Sequence, residues 1–220
     1  MFQKLQELPL LMGLSVTELM RIVELVDFDF KKYTEGTTFV NQGDRCDKII
    51  YVLNGEICVD RRDDNMNMLY TEYITETPYL IEPHNQWGLK QRFTHTYTFT
   101  TDGSTIVIDK RQLSMLISEF DIIKTNVLSM VCNNLQLANA LLLEPFPATT
   151  ADKLKRFVFV NSLVKHGRKT IRIKMNELAE IIDETRLNVS KTLNIWKING
   201  LVDIKRGSIE IFDAKKLLEF

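Results

Sequence analysis

The sequence predicts an α+β protein with an N-terminal antiparallel β-roll of the jelly-roll type, a long helix and a C-terminal winged helix-turn-helix. Short segments in which apolar and polar residues alternate run from about Phe28 to Ile108, as is typical of strands. From Gln112 to Leu143 the apolar residues recur every three or four positions, as in a helix. The last third combines a helix, a strand, two short helices and a hairpin.

The first predicted domain, residues 1–111, begins with a helix that Ser15 caps. The strands follow, and Asn54-Gly55 and Asp102-Gly103 are predicted to form tight hairpins between them. A type I′ turn needs positive φ at both central residues, and these residue pairs tolerate it well. Many short strands at this spacing indicate a small barrel or sandwich.

Residues 112–144 are predicted to form a long dimerisation helix with two apolar stripes. One stripe can pack on the β-roll, which leaves the other in need of a partner helix. The residues expected to make the dimer contact are Ile123, Val127, Met130, Leu137 and Leu141. The second stripe consists of Leu128, Val131, Leu135 and Leu142. Burial of the whole helix within its own chain is the alternative.

Residues 149–220 are predicted to form the winged helix-turn-helix. Thr149 or Thr150 caps a helix that Gly167 ends, and Gly207-Ser208 closes the final hairpin. Asp183 occupies the turn between the two short helices, where glycine is common. Aspartate is acceptable there because it tolerates the left-handed region. Thr185 caps the second helix, whose core face carries Val189, Leu193 and Trp196.

The opposite face of this second helix is predicted to contact DNA through Thr185, Arg186, Leu187, Asn188, Ser190, Lys191 and Asn194. Arginine and lysine suit guanine or phosphates, asparagine suits adenine, and leucine can contact a thymine methyl group. Residues 149–220 contain 15 Lys and Arg against 9 Asp and Glu, a balance of +6, whereas residues 1–148 have 13 against 20, a balance of -7. This asymmetry favours double-stranded DNA as the partner. A solvated basic surface is the alternative.

The chain carries no pattern that predicts an enzyme or a metal site. His84, His95 and His166 form no ligand motif, and no nucleophile or phosphate-binding motif is present. Cys46, Cys58 and Cys132 are odd in number and far apart, so we expect reduced, buried thiols. No apolar run reaches the ~20 residues of a membrane span, and residues 1–11 do not resemble a secretion signal. We therefore expect a cytoplasmic protein that does not associate with membranes.

Two runs of the sequence resemble the Crp/Fnr family of bacterial regulators, and the resemblance extends over nearly all of the chain. The first is KKYTEGTTFVNQGDRCDKIIYVLNGEICVD, and the second is NELAEIIDETRLNVSKTLNIWKINGLVDIKRGSIEI. The resemblance implies a homodimeric transcription regulator that reads a palindromic DNA site, with RNA polymerase as a further partner. An effector-binding or protein-interaction module that does not read DNA is the alternative, and a cupin-type enzyme would need clustered ligands that the sequence lacks.

The sequence departs from the family where cyclic nucleotides bind. Family members use a Gly-Glu pair for the ribose, and an Arg followed by Ser/Thr and Ala for the phosphate. Here Leu89-Lys90 follows Trp87-Gly88, and Phe93 or Thr94 stands about where the arginine is expected. We therefore expect no cyclic nucleotide and no cofactor. An unknown small-molecule effector would bind in the region of Trp87, Gly88, Leu89, Arg92 and Thr94.

Two further departures, and one alternative, concern iron and base recognition. Residues 1–45 contain no cysteine, which excludes the family's iron–sulfur branch. Haem ligation by His84 or His95 is a less favoured alternative. Leu187 stands where the family often has glutamate, so we expect a thymine or an A·T-rich step in place of the family's preferred base pair.

Overall fold

The computed structural model of the chain describes residues 5–220, so the first four residues of the predicted domain 1–111 lie outside it. The described residues divide into two compact units. Unit 1 contains the chain up to Glu56, residues 75–94 and residues 99–144. Unit 2 contains residues 57–74, 95–98 and 145–220.

The strands and helices of residues 5–220 follow the order that the sequence patterns predict, except that β6 and α7 were not predicted and two helices, α2 and α3, replace the predicted long helix. The strands are β1 (Asp29–Tyr33), β2 (Thr38–Val40), β3 (Lys48–Asn54), β4 (Ile57–Asp63), β5 (Met68–Ile74), β6 (Tyr79–Leu80), β7 (Thr96–Phe99), β8 (Gly103–Asp109), β9 (Lys169–Arg172), β10 (Val202–Lys205) and β11 (Ser208–Ile211). The α-helices are α1 (Val16–Leu25), α2 (Lys110–Glu119), α3 (Asp121–Leu143), α4 (Thr150–Asn161), α5 (Met175–Ile181), α6 (Arg186–Ile198) and α7 (Ala214–Glu219). Short 3-10 helices lie at Pro9–Leu11 and Pro83–Asn85.

Unit 1 contains an antiparallel sheet in the order β1-β8-β3-β6. Tyr51 of β3 is fully buried in its core, opposite Ile106 of β8 and Leu80 of β6. Helices α1, α2 and α3 pack their apolar faces on this core. The predicted cap of α1 is confirmed: the Ser15 hydroxyl accepts from the Glu18 amide, and the Glu18 carboxylate accepts from the Ser15 amide.

The two predicted hairpins at Asn54-Gly55 and Asp102-Gly103 are wrong. Strand β3 pairs with β6 and β8, whereas β4 pairs with β5, so Asn54-Gly55 connects strands of two different sheets. Asp102-Gly103 does the same between β7 and β8. Glycine is needed at Gly55 because a Cβ there would lie 2.8 Å from the Gly103 Cα. The two glycines permit a close backbone approach, which has the same sequence signature as a tight turn.

The predicted helix over residues 112–144 is interrupted near its start. Phe120, with φ -117° and ψ 106°, ends α2 and precedes α3. The apolar period continues across this break because Leu116 before it and Ile123 after it pack in the same core. Periodicity reports which side chains are buried, so it does not reveal a break between two helices that share one core.

Unit 2 contains an antiparallel sheet in which β10, β11, β9, β5, β4 and β7 are successive neighbours. Strand β5 pairs with β9 from Leu69 opposite Arg172 to Glu72 opposite Lys169. The strands β4 and β5, assigned to the β-roll from the sequence, thus share a compact unit with the C-terminal segment. The domain boundaries at 111, 144 and 149 stay predictions, since alternation identifies a strand without identifying its partner.

Helices α4 to α7 contribute to a second apolar core in unit 2, which includes Leu154, Ile171, Val189 and Trp196. Thr149 caps α4, as predicted, by accepting from the Asp152 amide. The helix ends at Asn161, before the predicted stop at Gly167. Among residues 5–220, no helix is both long and apolar enough to cross a membrane.

Candidate nucleic-acid interface

The turn between α5 and α6 has the conformation that the sequence predicts. Asp183 has φ 52°, in the left-handed region. The Glu184 amide then donates to the Ala179 carbonyl at 2.9 Å and closes the turn. Leu178, Ala179 and Ile182 of the first helix are buried, and Ile181 is partly buried against the same core. The small side chain at Ala179 allows the two helices to approach closely.

The start of α6 is held by side-chain hydrogen bonds. The Thr185 hydroxyl accepts from the Asn188 amide at 3.2 Å, as a capping residue does. The Asn188 side chain donates to the Glu184 carboxylate at 3.1 Å, and Glu184 also pairs with Lys153 at 3.1 Å. Hydrogen bonds from Asn188 and Lys153 lower the pKa of Glu184. Asn188 therefore has an intramolecular partner that contact with a base would have to displace.

Helix α6 presents one face to the core and one to solvent. Val189, Leu193 and Trp196 are buried, as predicted. The structure leaves six of the seven predicted DNA-contact residues exposed, namely Thr185, Arg186, Leu187, Asn188, Lys191 and Asn194. Ser190 is half-buried at the flank. Leu187 is 63% exposed.

Two exposed isoleucines on α6 were missed in the sequence analysis. Ile195 is 53% exposed and Ile198 is 85% exposed. Ile198 lies eleven residues after Leu187, which is close to three helical turns, so both lie on the same side of the helix. The sequence could have indicated Ile198, because this residue continues the helical spacing from Leu187 through Lys191 and Asn194.

A hairpin of β10 and β11 follows α6, with Lys205 opposite Ser208. The two-residue turn is therefore Arg206-Gly207, one position before the predicted Gly207-Ser208, and Gly207 has φ 72°. Lys205 and Arg206 are exposed at the tip. A 2.8 Å ion pair between Lys197 of α6 and Asp203 of β10 links the hairpin to the helix and lowers the pKa of Asp203. Lys205 and Arg206 are exposed basic residues outside the predicted set of DNA-contact residues.

One residue of the predicted effector region, Thr94, is bound by a carboxylate of the chain itself. Glu82, almost completely buried, accepts from both the amide and the hydroxyl of Thr94, at 2.7 and 2.9 Å. Arg92 is exposed and donates to the Gly43 carbonyl at 2.7 Å. Trp87, Gly88 and Leu89 are also exposed. The two donors of Thr94 therefore already bind the Glu82 carboxylate. The sequence did not indicate Glu82, because a lone glutamate in a loop has no sequence signature.

The histidines and cysteines form no metal site among residues 5–220. His95 is buried beside the Tyr97 ring, with the ring centroids 6.2 Å apart, while His84 lies exposed in the 3-10 helix Pro83–Asn85. Cys46 is buried and Cys58 is half-buried, but Cys132 is exposed, contrary to the expectation that each cysteine is buried.

The five residues predicted for dimerisation do not share one environment. Ile123 and Val127 are buried in the core of their own unit, and Met130 packs partly against it. Leu141 is half-buried, and Leu137 is exposed. The second stripe is exposed along its whole length, at Leu128, Val131, Leu135 and Leu142. The first two predicted residues are thus not available for contact with a partner helix.

No protein-family model matches the chain, and no curated protein matches it. The catabolite activator protein of Thermus thermophilus is similar in structure, with 19% sequence identity, 96% of this chain and 97% of that chain covered, and a TM-score of 0.52. The N-terminal domain of a transcriptional regulator from Streptomyces coelicolor A3(2) is 17% identical over 66% of this chain and 99% of that chain, with a TM-score of 0.52. The predicted α+β, Crp/Fnr-like fold is thereby confirmed.

Proposed function

We propose that this chain is a sequence-specific transcription regulator that binds double-stranded DNA as a homodimer. The exposed, basic, N-capped face of α6 is the observation that carries the proposal. Its opposite face is anchored by Val189, Leu193 and Trp196, so the exposed side chains are presented from a rigid support. A helix of this length and exposure fits the major groove of B-DNA.

Each exposed residue of α6 suits a particular part of the duplex. Arg186 and Lys191 can donate to guanine O6 and N7 or to phosphates, and Leu187 can pack on a thymine methyl group. The free amides at the helix start, near Thr185, can hold a phosphate. Arg206 at the hairpin tip is placed on an exposed turn, where a cationic side chain suits the DNA backbone.

We infer that two copies pair along the second stripe of α3. Leu128, Val131, Leu135 and Leu142 follow the alternating three- and four-residue spacing of a two-stranded coiled coil when Ala138 is included. Contiguous exposed leucine and valine side chains are costly in water, and a partner helix would remove them from it. A dimer of this kind predicts an inverted repeat, with half-sites about one helical turn apart.

The effector of this regulator is not a cyclic nucleotide in our proposal. The amide and hydroxyl of Thr94 would have to release Glu82 before they could hold a phosphate. A phosphate beside that carboxylate would also meet like charge. We further place the protein in the cytoplasm, with RNA polymerase as a partner, as the function requires.

Selection of bound duplexes from a random library tests the proposal. The purified chain is run beside Arg186→Ala, Lys191→Ala and, as a matched control, Lys155→Ala on α4. We expect an inverted repeat from the chain and from the control, and its loss in both α6 variants. A library that yields no motif, even with cell extract added, would reject DNA reading and favour the alternative of a protein-interaction module.

The salt dependence of binding separates these two functions further. A DNA reader that contacts several phosphates loses affinity steeply as salt rises, and each removed phosphate contact reduces the slope by about one. Arg206→Ala is expected to weaken all sequences equally and to reduce this slope. Weak affinity that does not change with salt would support the module that does not read DNA.

A further inference from the structure

Unit 2 contains a groove of about 350 Å³ that the proposed DNA contacts do not use. Strand β4 and the turn after it supply Arg61, Asp63 and Met66, and α4 supplies Lys153, Arg156 and Val160. Phe146 and the end of α5 complete it. This volume lies at the lower end of the ~300–1,000 Å³ that is usual for small-molecule sites.

Six of the eleven described residues that line the groove are apolar, and three of these apolar residues are exposed to solvent. Phe146 is 68% exposed and Val160 is 54% exposed, whereas Phe157 and Ile182, which line the same groove, are buried. The charged ends of Lys153 and Arg156 lie 5.8 and 5.9 Å from the centre of the Phe146 ring. Cationic groups thus frame an apolar surface that solvent can reach.

The charges around the groove favour an anion. Three cationic side chains line it against one carboxylate, that of Asp63. The Asp63 carboxylate accepts from the amides of Asn65 and Met66, at 3.1 and 3.2 Å, so the local turn already uses it. Lys153 is paired with Glu184. The cationic side chain on which the proposal relies is therefore Arg61.

Arg61 is the side chain with the clearest need for an acceptor. Its guanidinium group donates to the amide oxygen of Asn161, which is neutral. Its Nε is buried, and within residues 5–220 it has no hydrogen-bond acceptor. Because Arg61 lines the groove and its guanidinium group donates, among the described residues, only to a neutral amide oxygen, an acidic group bound in the groove would be a stronger acceptor for it.

We propose that this groove binds a small amphipathic anion, with its acidic head at Arg61 and its apolar tail between Phe146 and Val160. The site also touches the helix-turn-helix. Ile181 and Ile182 are the residues directly before the turn, and Lys153 donates to the Asp183 carbonyl at 2.8 Å. A ligand here therefore contacts the groups that hold the turn. Only an effect of the ligand on DNA binding rests on the proposed function.

Calorimetric titration of the full chain with decanoate tests the site in the absence of DNA. We expect one decanoate per chain with a dissociation constant below about 1 mM. Decyltrimethylammonium has the same tail and the opposite charge, and we expect it to bind at least tenfold more weakly. Equal binding of the two ions, or no decanoate binding, would overturn the proposal.

Two pairs of variants locate the site. Arg61→Gln and Val160→Glu should each weaken decanoate binding at least tenfold. Their matched controls are Arg62→Gln, on the adjacent position of β4, and Met115→Glu, which is 54% exposed like Val160 but lies on α2. Both controls should bind like the unmodified chain. Far-ultraviolet circular dichroism checks that each variant is folded, and equal losses in variants and controls would reject the site.

DNA affinity is measured separately, on the operator that the library selection yields. We expect decanoate to change that affinity in the unmodified chain and not in Val160→Glu. If decanoate binds as described while no operator is found, the ligand site stands and the regulatory function fails. If Val160→Glu changes the oligomeric mass and decanoate does not bind, the groove is a contact between copies and the proposal is wrong.

Discussion

The Lys169 ammonium group lies 2.6 Å from the Glu72 carboxylate, and the two side chains are 0% and 1% exposed. The same carboxylate accepts from the Leu163 amide at 2.7 Å and from the Val164 amide at 3.3 Å. Burial lowers the pKa of Lys169, and the nearby Glu72 opposes that change. This pair joins β5 to β9, so the stability of unit 2 depends on both charges being present.

Replacing Lys169→Met should lower the free energy of unfolding by about 3 kcal/mol, because Glu72 would be left as a buried charge without its cation. Urea unfolding measures this change. Lys124→Met is the matched control, since Lys124 forms an exposed ion pair with Asp121, and its effect should stay within about 0.5 kcal/mol. A similar small effect for both variants would contradict the prediction.

The turn at Asp183 should discriminate between side chains by their tolerance of positive φ. Asp183→Val places a β-branched residue in the left-handed region and should cost about 1–2 kcal/mol. Asp183→Gly should be neutral or slightly stabilising. Thermal unfolding compares the two variants, and equal melting temperatures would show that this backbone conformation does not constrain the residue.

The register of the proposed dimer can be tested on α3. Leu135→Glu introduces a charge in the second stripe and should convert the dimer to a monomer. Leu137→Glu lies on the opposite side of the helix and should leave the dimer intact, although Leu137 is just as exposed. Sedimentation equilibrium distinguishes the two results. If only Leu137→Glu dissociates the dimer, the two copies contact each other through the first stripe, and our assignment of the second stripe is wrong.

Base preference should change when Leu187 is replaced. Leu187→Glu provides an acceptor for cytosine N4 and removes the contact with a thymine methyl group, a difference worth roughly 1–3 kcal/mol at one base pair. Library selection reads the change directly. Ile198→Glu, at the other end of α6, should weaken binding through its charge without altering the preferred bases. An unchanged preference in Leu187→Glu would remove our assignment of this residue.

The cysteines should differ in reactivity. Burial raises the pKa of both Cys46 and Cys58 to about 11, so few of their thiols are ionised at pH 8. Cys132 is exposed on α3. Titration with a thiol reagent at pH 8 should give at most one rapidly reacting group per chain, absent in Cys132→Ser. Rapid reaction of more groups in the folded protein would contradict the structure.

The sequence by itself determined the order of most elements, the caps at Ser15 and Thr185, and the two faces of α6. These features are local, because caps and helical faces depend on residues that lie within four positions of one another. The left-handed residue at Asp183 could be predicted for the same reason. The exposed set from Arg186 to Asn194 follows from the buried set by helical geometry alone.

Only the tertiary structure decided which elements are neighbours. Alternation in β3, β4 and β5 identified strands, but pairing between distant segments placed β5 beside β9 and separated β3 from β4. The same limit applies to Glu82, whose carboxylate accepts from Thr94, twelve positions further along the chain. Apolar spacing on α3 could not say which stripe faces the core, because both stripes satisfy the same period. Contacts between residues far apart in sequence settle these questions, and a local pattern does not contain them.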